Sequence, residues 1–284
     1  MQVKCNLPAN EIELLKKRGF KIGHPLNSGS FALVCKATYQ EQPIAVKVID
    51  LEQTSNDYRL KFLPREIYTI KKLKHKYLIE MFDILVIGNK VLIFMELAEG
   101  GDLLDLLNER KNLSEDQARF YYLQFGDALK YMHSLGFAHR DIKCENILLN
   151  KTKTVAKLTD FGFSRTCFEK ISGRRMYSET HCGSVAYVAP EILQSHRYNP
   201  LISDVWSIGV VLYVLVNNRL PFVEKDSRKM VKKQLDCVYR INQSLSSQLN
   251  DLIGLHLNPN PSNRINMDEV FHHQWFDSLR QESV

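Results

Sequence analysis

Long apolar runs, paired cysteines and internal repeats are what this sequence lacks, and each absence removes a class of protein. The most apolar stretch, Ile208 to Val216, falls far short of the roughly 20 residues needed to cross a bilayer. Asp204 and Arg219 flank it, so it reads as a buried core helix and no membrane insertion is expected. The six cysteines, Cys5, Cys35, Cys144, Cys167, Cys182 and Cys237, are scattered with no C-x-x-C pair. That spacing favours reduced thiols in a cytoplasmic protein. Export is not signalled either, because Glu11, Glu13 and Lys16 to Arg18 interrupt any apolar leader. No repeat or low-complexity tract appears. Charge of one sign is also scarce: 38 basic against 32 acidic residues leave +6, spread out apart from Lys71, Lys72 and Lys74. Such an excess suits anionic ligands and gives no reason to expect nucleic acid.

What is present is an ordinary globular composition, 44% hydrophobic and 25% charged, which excludes disorder for most of the chain. A length of 284 residues fits one bilobal unit or two close-packed domains. From Phe20 to Leu97 short β-rich runs recur at Phe31 to Ala37, Ile44 to Ile49, Met81 to Ile87 and Val91 to Met95. One helix interrupts them, from about Leu60 to Leu73, with Ile67, Ile70 and Leu73 at helical spacing. After Gly100 the period becomes mainly helical. Ser114 to Leu135 opens on a capping box of Ser114 and Gln117, and Phe120, Leu123, Leu129 and Met132 supply its apolar stripe. The expected class is α+β: a small antiparallel sheet with one helix, a hinge at Ala98 to Gly101, and a larger, mainly helical part. Ligands commonly sit in a cleft of that kind.

Chemistry is concentrated mid-chain. His139-Arg140-Asp141-Ile142-Lys143-Cys144-Glu145-Asn146 packs five acidic or basic side chains and an amide into eight positions, and Asp160-Phe161-Gly162 follows, with Asp160 nineteen residues beyond Asp141. Singly, His139 could be a satisfied core histidine and Asp160 a turn aspartate. Together, Asp141, Asn146 and Asp160 supply what phosphoryl transfer needs, a carboxylate near the attacking hydroxyl and oxygen or amide ligands for a metal.

These two motifs, in this order, resemble those of the protein kinases. The resemblance implies a bilobal kinase fold over residues 20–276, with an N-lobe at 20–97, a C-lobe at 98–276, an extension at 1–19 and a tail at 277–284. It implies ATP and Mg2+ as cofactors and protein substrates as partners. Asp141 would orient the substrate hydroxyl and accept its proton, Lys143 would hold the γ-phosphate, and Asn146 and Asp160 would coordinate magnesium. Lys143 also marks the serine/threonine class. Leu26, Asn27, Ser28, Gly29, Ser30, Phe31, Ala32, Leu33 and Val34 occupy the phosphate-covering hairpin, although only the middle glycine of the usual three is kept. Lys47, in an apolar strand where a lone ammonium would be costly, would meet the α- and β-phosphates and Glu66. By itself Glu66 reads more readily as a solvated helix residue, and it is the ordered set Gly29, Lys47 and Glu66 that reverses this. Val34, Ala45 and Leu148 would sandwich the adenine ring, Glu96 to Ala98 would bond its edge and Met95 would back the pocket. All of these are also plausible core positions.

Between Gly162 and Ala189-Pro190-Glu191 a polar segment resembles an activation segment. Thr180 would take a regulatory phosphate from an upstream activating kinase, docking on Arg140 or Arg165; the alternative is a plain loop threonine. Asp102 and Glu145 stand where arginine-directed kinases receive a basic residue upstream of the phosphoacceptor. Asp204 is expected as a buried prop and Glu191 with Arg264 as a buried pair. The run Ser178 to Ser184, Tyr198-Asn199-Pro200 and Trp275 look most like the testis-specific serine kinases, a resemblance that suggests a role in sperm development. The rival reading from another class is a pseudokinase scaffold, given the altered glycine loop; a small-molecule kinase is disfavoured by the long activation segment.

Overall fold

The structure, a computed structural model, describes residues 7–28, 32–168, 174–180 and 182–277. It divides into two compact units, one from the described residues of Met1–Lys74 and Ile79–Glu99, the other from those of His75–Leu78 and Gly100–Val284. The α+β class is as expected.

In the first unit a helix α1 (Ala9–Lys17) precedes β1 (Phe20–Ser28), β2 (Ala32–Tyr39) and β3 (Gln42–Asp50). Then come α2 (Leu63–Lys72), β4 (Met81–Ile87) and β5 (Lys90–Met95). The sheet is antiparallel throughout, in the order β1-β2-β3-β5-β4. β3 shows how it is covered. Ile44, Val46 and Val48 point to one face, where Leu7 and Leu15 pack beside Phe20 and Phe94. Ile49 points to the other, where Leu63, Val91 and Ile93 form a second cluster with Ile67 and Ile70 of α2. Both faces are therefore buried, and each fully buried aliphatic side chain contributes roughly 1.5–3 kcal/mol. The segment before Phe20 is thus packed onto the sheet through Leu15, which is 1% exposed. By the two-residue period of a strand, Lys47 shares the α2 side with Ile49.

The second unit contains α3 (Leu103–Arg110), α4 (Glu115–Ser134), β6 (Phe137–Ala138), β7 (Ile147–Leu149), β8 (Ala156–Leu158) and β9 (Arg165–Thr166). After these come α5 (Pro190–Leu193), α6 (Pro200–Asn217), α7 (Ser227–Leu235) and α8 (Ser247–His256). The capping box at the start of α4 is present, Gln117 N–H to Ser114 Oγ at 3.3 Å and Ser114 N–H to Gln117 Oε1 at 3.1 Å. Its apolar stripe needs correcting. Phe120 is 47% exposed, and the buried face is Ala118, Tyr121, Tyr122, Phe125, Ala128, Leu129 and Met132. Phe120 stands about half a turn from Tyr122 and Phe125 at 100° per residue. α6 is long and apolar enough by composition to span a membrane, yet it is buried within this unit: Ile208 and every residue from Val210 to Val216 are at most 5% exposed. A helix apolar on all sides is a core helix in such surroundings.

Candidate active site

Each unit presents its own group of candidate functional side chains. In the sheet unit Lys47 Nζ donates to Glu66 Oε1 at 2.6 Å, and the carboxylate side chain is only 4% exposed. Strand alternation aims Lys47 at α2, and Glu66 lies in α2's buried row with Leu63 and Thr69. Glu66 is therefore not a solvated helix glutamate. Val34 pairs across the ladder with Lys47, and Ala45 with Met95. Leu26 is exposed at the end of β1. Asn27 turns back on its own backbone, Oδ1 accepting from Ser28 N–H at 2.7 Å. Gly29, Ser30 and Phe31 lie outside the described residues; Ala32 and Leu33 follow at the start of β2. The N–H of Glu96 is taken by the carbonyl of Glu80 at 2.8 Å, so it is not the donor that an adenine edge would meet. Ala98 follows in an irregular stretch.

In the helical unit the site is the loop between β6 and β7. Asp204, 1% exposed on α6, accepts the backbone N–H groups of His139 and Arg140, both at 2.8 Å. Arg140 needs that support, because its φ of +69° is left-handed and costs a non-glycine residue energy. The ring of His139 is fully buried. Nδ1 accepts from Asp141 N–H at 3.2 Å, so the proton sits on Nε2, which donates to Thr159 O at 2.9 Å. His139 is thus a brace between the loop and the segment before Asp160.

Asp141, 5% exposed, is ringed by donors. Ser184 N–H and Oγ meet its Oδ1, each at 3.1 Å. Lys143 Nζ and Asn146 Nδ2 meet Oδ2, each at 3.0 Å. Lys143 also donates to Ser184 Oγ at 3.0 Å. Gly183 makes this possible: its φ is +96°, and a Cβ there would lie 2.8 Å from Arg140 O. Charge-assisted bonds of this number are what a buried carboxylate requires to stay fixed. Asn146 spends its amide nitrogen on Asp141, so its Oδ1 takes no part in these bonds. Asp160 comes close through the backbone, where Thr159 N–H bonds Asn146 O at 3.0 Å. Its own φ is +63°.

The donor types of Asn146 and Asp160, an amide oxygen and a carboxylate, are of the kind that magnesium takes. Among the described residues no group of three or more His, Cys, Asp or Glu converges on a metal-binding point, and Mg2+ bound with a nucleotide takes only one or two protein oxygens plus phosphates and water. Nearby, Asp102 caps α3 through Asp105 N–H at 2.9 Å and forms a bridge with Leu148. Burial raises the pKa of Asp102, and the negative charge of Glu145 adds to that rise, so the two carboxylates form one acidic locality.

Around Thr180 the structure gives contacts that the sequence did not show. Ser178, 1% exposed, accepts from Arg140 Nη1 at 3.3 Å. Tyr198 Oη donates to Thr180 O at 2.9 Å. Arg140 Nη2 is buried with no hydrogen-bond partner among the described residues. Glu191 and Arg264 form the expected buried pair, with Nη1 to Oε1 at 2.8 Å and Nη2 to Oε2 at 2.9 Å.

Compared with known proteins, residues 20–276 match the protein kinase domain family. The chain is a member of that family. The kinase is 40% identical to mouse testis-specific serine/threonine-protein kinase 1 over 274 residues, covering 94% of this chain and 74% of the relative. It is 39% identical to mouse testis-specific serine/threonine-protein kinase 2 over 283 residues (97% and 78%). Against the human testis-specific serine/threonine-protein kinase 3 the identity is 37% over 270 residues (94% and 99%). The kinase accordingly belongs to the serine/threonine class, and the pseudokinase alternative finds no support.

Proposed function

We propose that this kinase transfers the γ-phosphate of ATP, with magnesium, to serine or threonine hydroxyls of protein substrates. The observation that carries the reading is the buried Asp141 carboxylate, fixed by Ser184, Lys143 and Asn146. Asp141 orients the acceptor hydroxyl and takes its proton. Lys143, already beside Asp141, holds the transferring phosphate, and Lys47 with Glu66 positions the α- and β-phosphates. Asn146 Oδ1 and the Asp160 carboxylate would hold magnesium, which when bound neutralises charge on the β- and γ-phosphates. Val34, Ala45, Met95, Ala98 and Leu148 would receive the adenine.

The acidic pair Asp102 and Glu145 supports a preference for arginine or lysine upstream of the phosphoacceptor. Arg140 Nη2, buried without a partner among the described residues, supports activation by a phosphate on Thr180, added by an upstream kinase, with Arg165 as a second cation. Likeness to the testis-specific kinases supports a role in sperm development, and the cytoplasm is the proposed location.

Transfer of radiolabelled phosphate from ATP to a basic serine peptide tests this. Asp141→Asn is expected to lower kcat by about 10²–10⁴-fold, and full activity of that variant defeats the assignment. With enzyme from cells containing the activator, Thr180→Ala is expected to lose about 10- to 100-fold, the worth of a charge-assisted bond or two. Unchanged activity there removes the activation step alone.

A further inference from the structure

The helix that carries Glu66 is not uniform. Residues 56–57 and 63–72 are α-helical, but Tyr58–Phe62 between them form a single π turn, closed by Leu63 N–H on Tyr58 O. Such turns insert one residue into a helix and frequently mark functional sites. The insertion has a geometric result. In an unbroken α-helix, positions eight apart point about 80° away from each other. With one residue absorbed by the π turn they stand as positions seven apart would, two turns along and within about 20° of the same line. Tyr58 and Glu66 are eight apart, and their side chains meet: Tyr58 Oη donates to Glu66 Oε2 at 3.4 Å while Lys47 Nζ holds Oε1 at 2.6 Å. The tyrosine is itself anchored, its N–H on Ser55 Oγ at 3.1 Å and its ring packed in the cluster of Leu63, Ile67 and Ile70.

We infer that Tyr58 is a positioning residue, and that the π turn exists to set its hydroxyl against the second oxygen of Glu66, fixing the carboxylate's rotation so that Lys47 is aimed at the nucleotide. This rests on the reading that Lys47 and Glu66 serve the phosphates. A carboxylate held by one donor can swing about its terminal torsion, whereas one held at both oxygens cannot. The hydroxyl thus acts on the reaction only through Glu66.

The test is a double-mutant cycle on the full chain, Tyr58→Phe and Glu66→Gln singly and together, with kcat, KM for ATP and the unfolding midpoint measured for each. Tyr58→Phe keeps the ring, so the midpoint is expected to stay within a few degrees while kcat/KM for ATP falls about three- to tenfold; KM for the peptide substrate is expected not to move. In the Glu66→Gln background the same change is expected to have no further effect, a non-additivity that a merely structural role would not produce. If Tyr58→Phe is as active as the parent while Glu66→Gln is impaired, the tyrosine's role is refuted and the Lys47–Glu66 reading stands. An equal loss from Tyr58→Phe in both backgrounds also refutes it, because the effect then bypasses Glu66. Full activity of Glu66→Gln overturns the phosphate-holding reading and the role of Tyr58 with it.

Discussion

In the sheet unit the candidate pair joins a strand to a helix, whereas in the helical unit the candidate carboxylate sits inside a buried network. Lys47 and Glu66 come from a strand and a helix and are joined by an ion pair, with a long hydroxyl bond from Tyr58 to the carboxylate's other oxygen. Asp141 is fixed by four side-chain and backbone donors on its carboxylate, and the loop that carries it is tied to α6 through Asp204. The difference teaches where function and stability are coupled. A cluster satisfied deep in a core is preorganised for chemistry, and losing one member leaves its partners buried and unpaired. A pair made by two adjoining elements can be undone with less damage to the fold.

The sharpest way to break this contrast is to cut one ion pair in each unit. Arg264 spends its guanidinium on both oxygens of Glu191 and on the carbonyls of Asn258 and Ile202, with no side-chain exposure. Arg264→Met is expected to destabilise by about 3–5 kcal/mol, because Glu191 remains buried without a cation. That corresponds to a fall in Tm of roughly 10 °C. Lys47→Met removes a side chain that is 15% exposed, and Tyr58 still donates to Glu66. Glu66 too is left buried without a cation, so the cost is expected to approach that of Arg264→Met, less the roughly 1–2 kcal/mol of the guanidinium's bonds to the carbonyls of Asn258 and Ile202, even as phosphate transfer is lost. Calorimetric scans of the two variants check this. Equal shifts would erase the distinction between the units.

How much of this was legible in the sequence follows the same division between local and distant causes. The bounds of β4, Met81–Ile87, and the Ser114–Gln117 box were readable because alternation and capping are written within a few residues. The Glu191–Arg264 pair and the Asp204 prop were readable only through the resemblance, since 73 and 64 positions separate the partners. β1 escaped notice as a strand of its own. Gly23 and Pro25 weaken its signal, and the ladder tolerates them because β1 is an edge strand with register shifts on either side of Pro25. The π turn left no trace at all, since the helix appeared to run from Leu60 to Leu73 in one piece. Tyr58 could not be found until its hydroxyl was seen beside Glu66, a matter of one inserted residue rather than of composition.

A smaller effect extends the comparison to pH. His256 in α8 is fully buried against α6, where Gly209 permits so close an approach that a Cβ would lie 2.3 Å from His256 Cβ. Nδ1–H donates to Leu252 O at 2.8 Å, so Nε2 accepts from Tyr122 Oη at 2.7 Å and the ring is neutral. Burial lowers its pKa from 6.5 to about 4, and the charges of His273 and Arg264 push the same way. Between those values the unfolded chain binds a proton that the folded chain refuses. Stability therefore declines as pH falls from about 6.5 toward 4, by up to about 3 kcal/mol in all and by about 2 kcal/mol on going from pH 7 to 5. Denaturant unfolding at the two pH values measures it, and His256→Gln is expected to flatten the dependence by that amount. An unchanged slope in the variant would mean that the acid sensitivity of the helical unit arises elsewhere, and that its core is not what the buried imidazole makes it: a packing that excludes the proton until it begins to open.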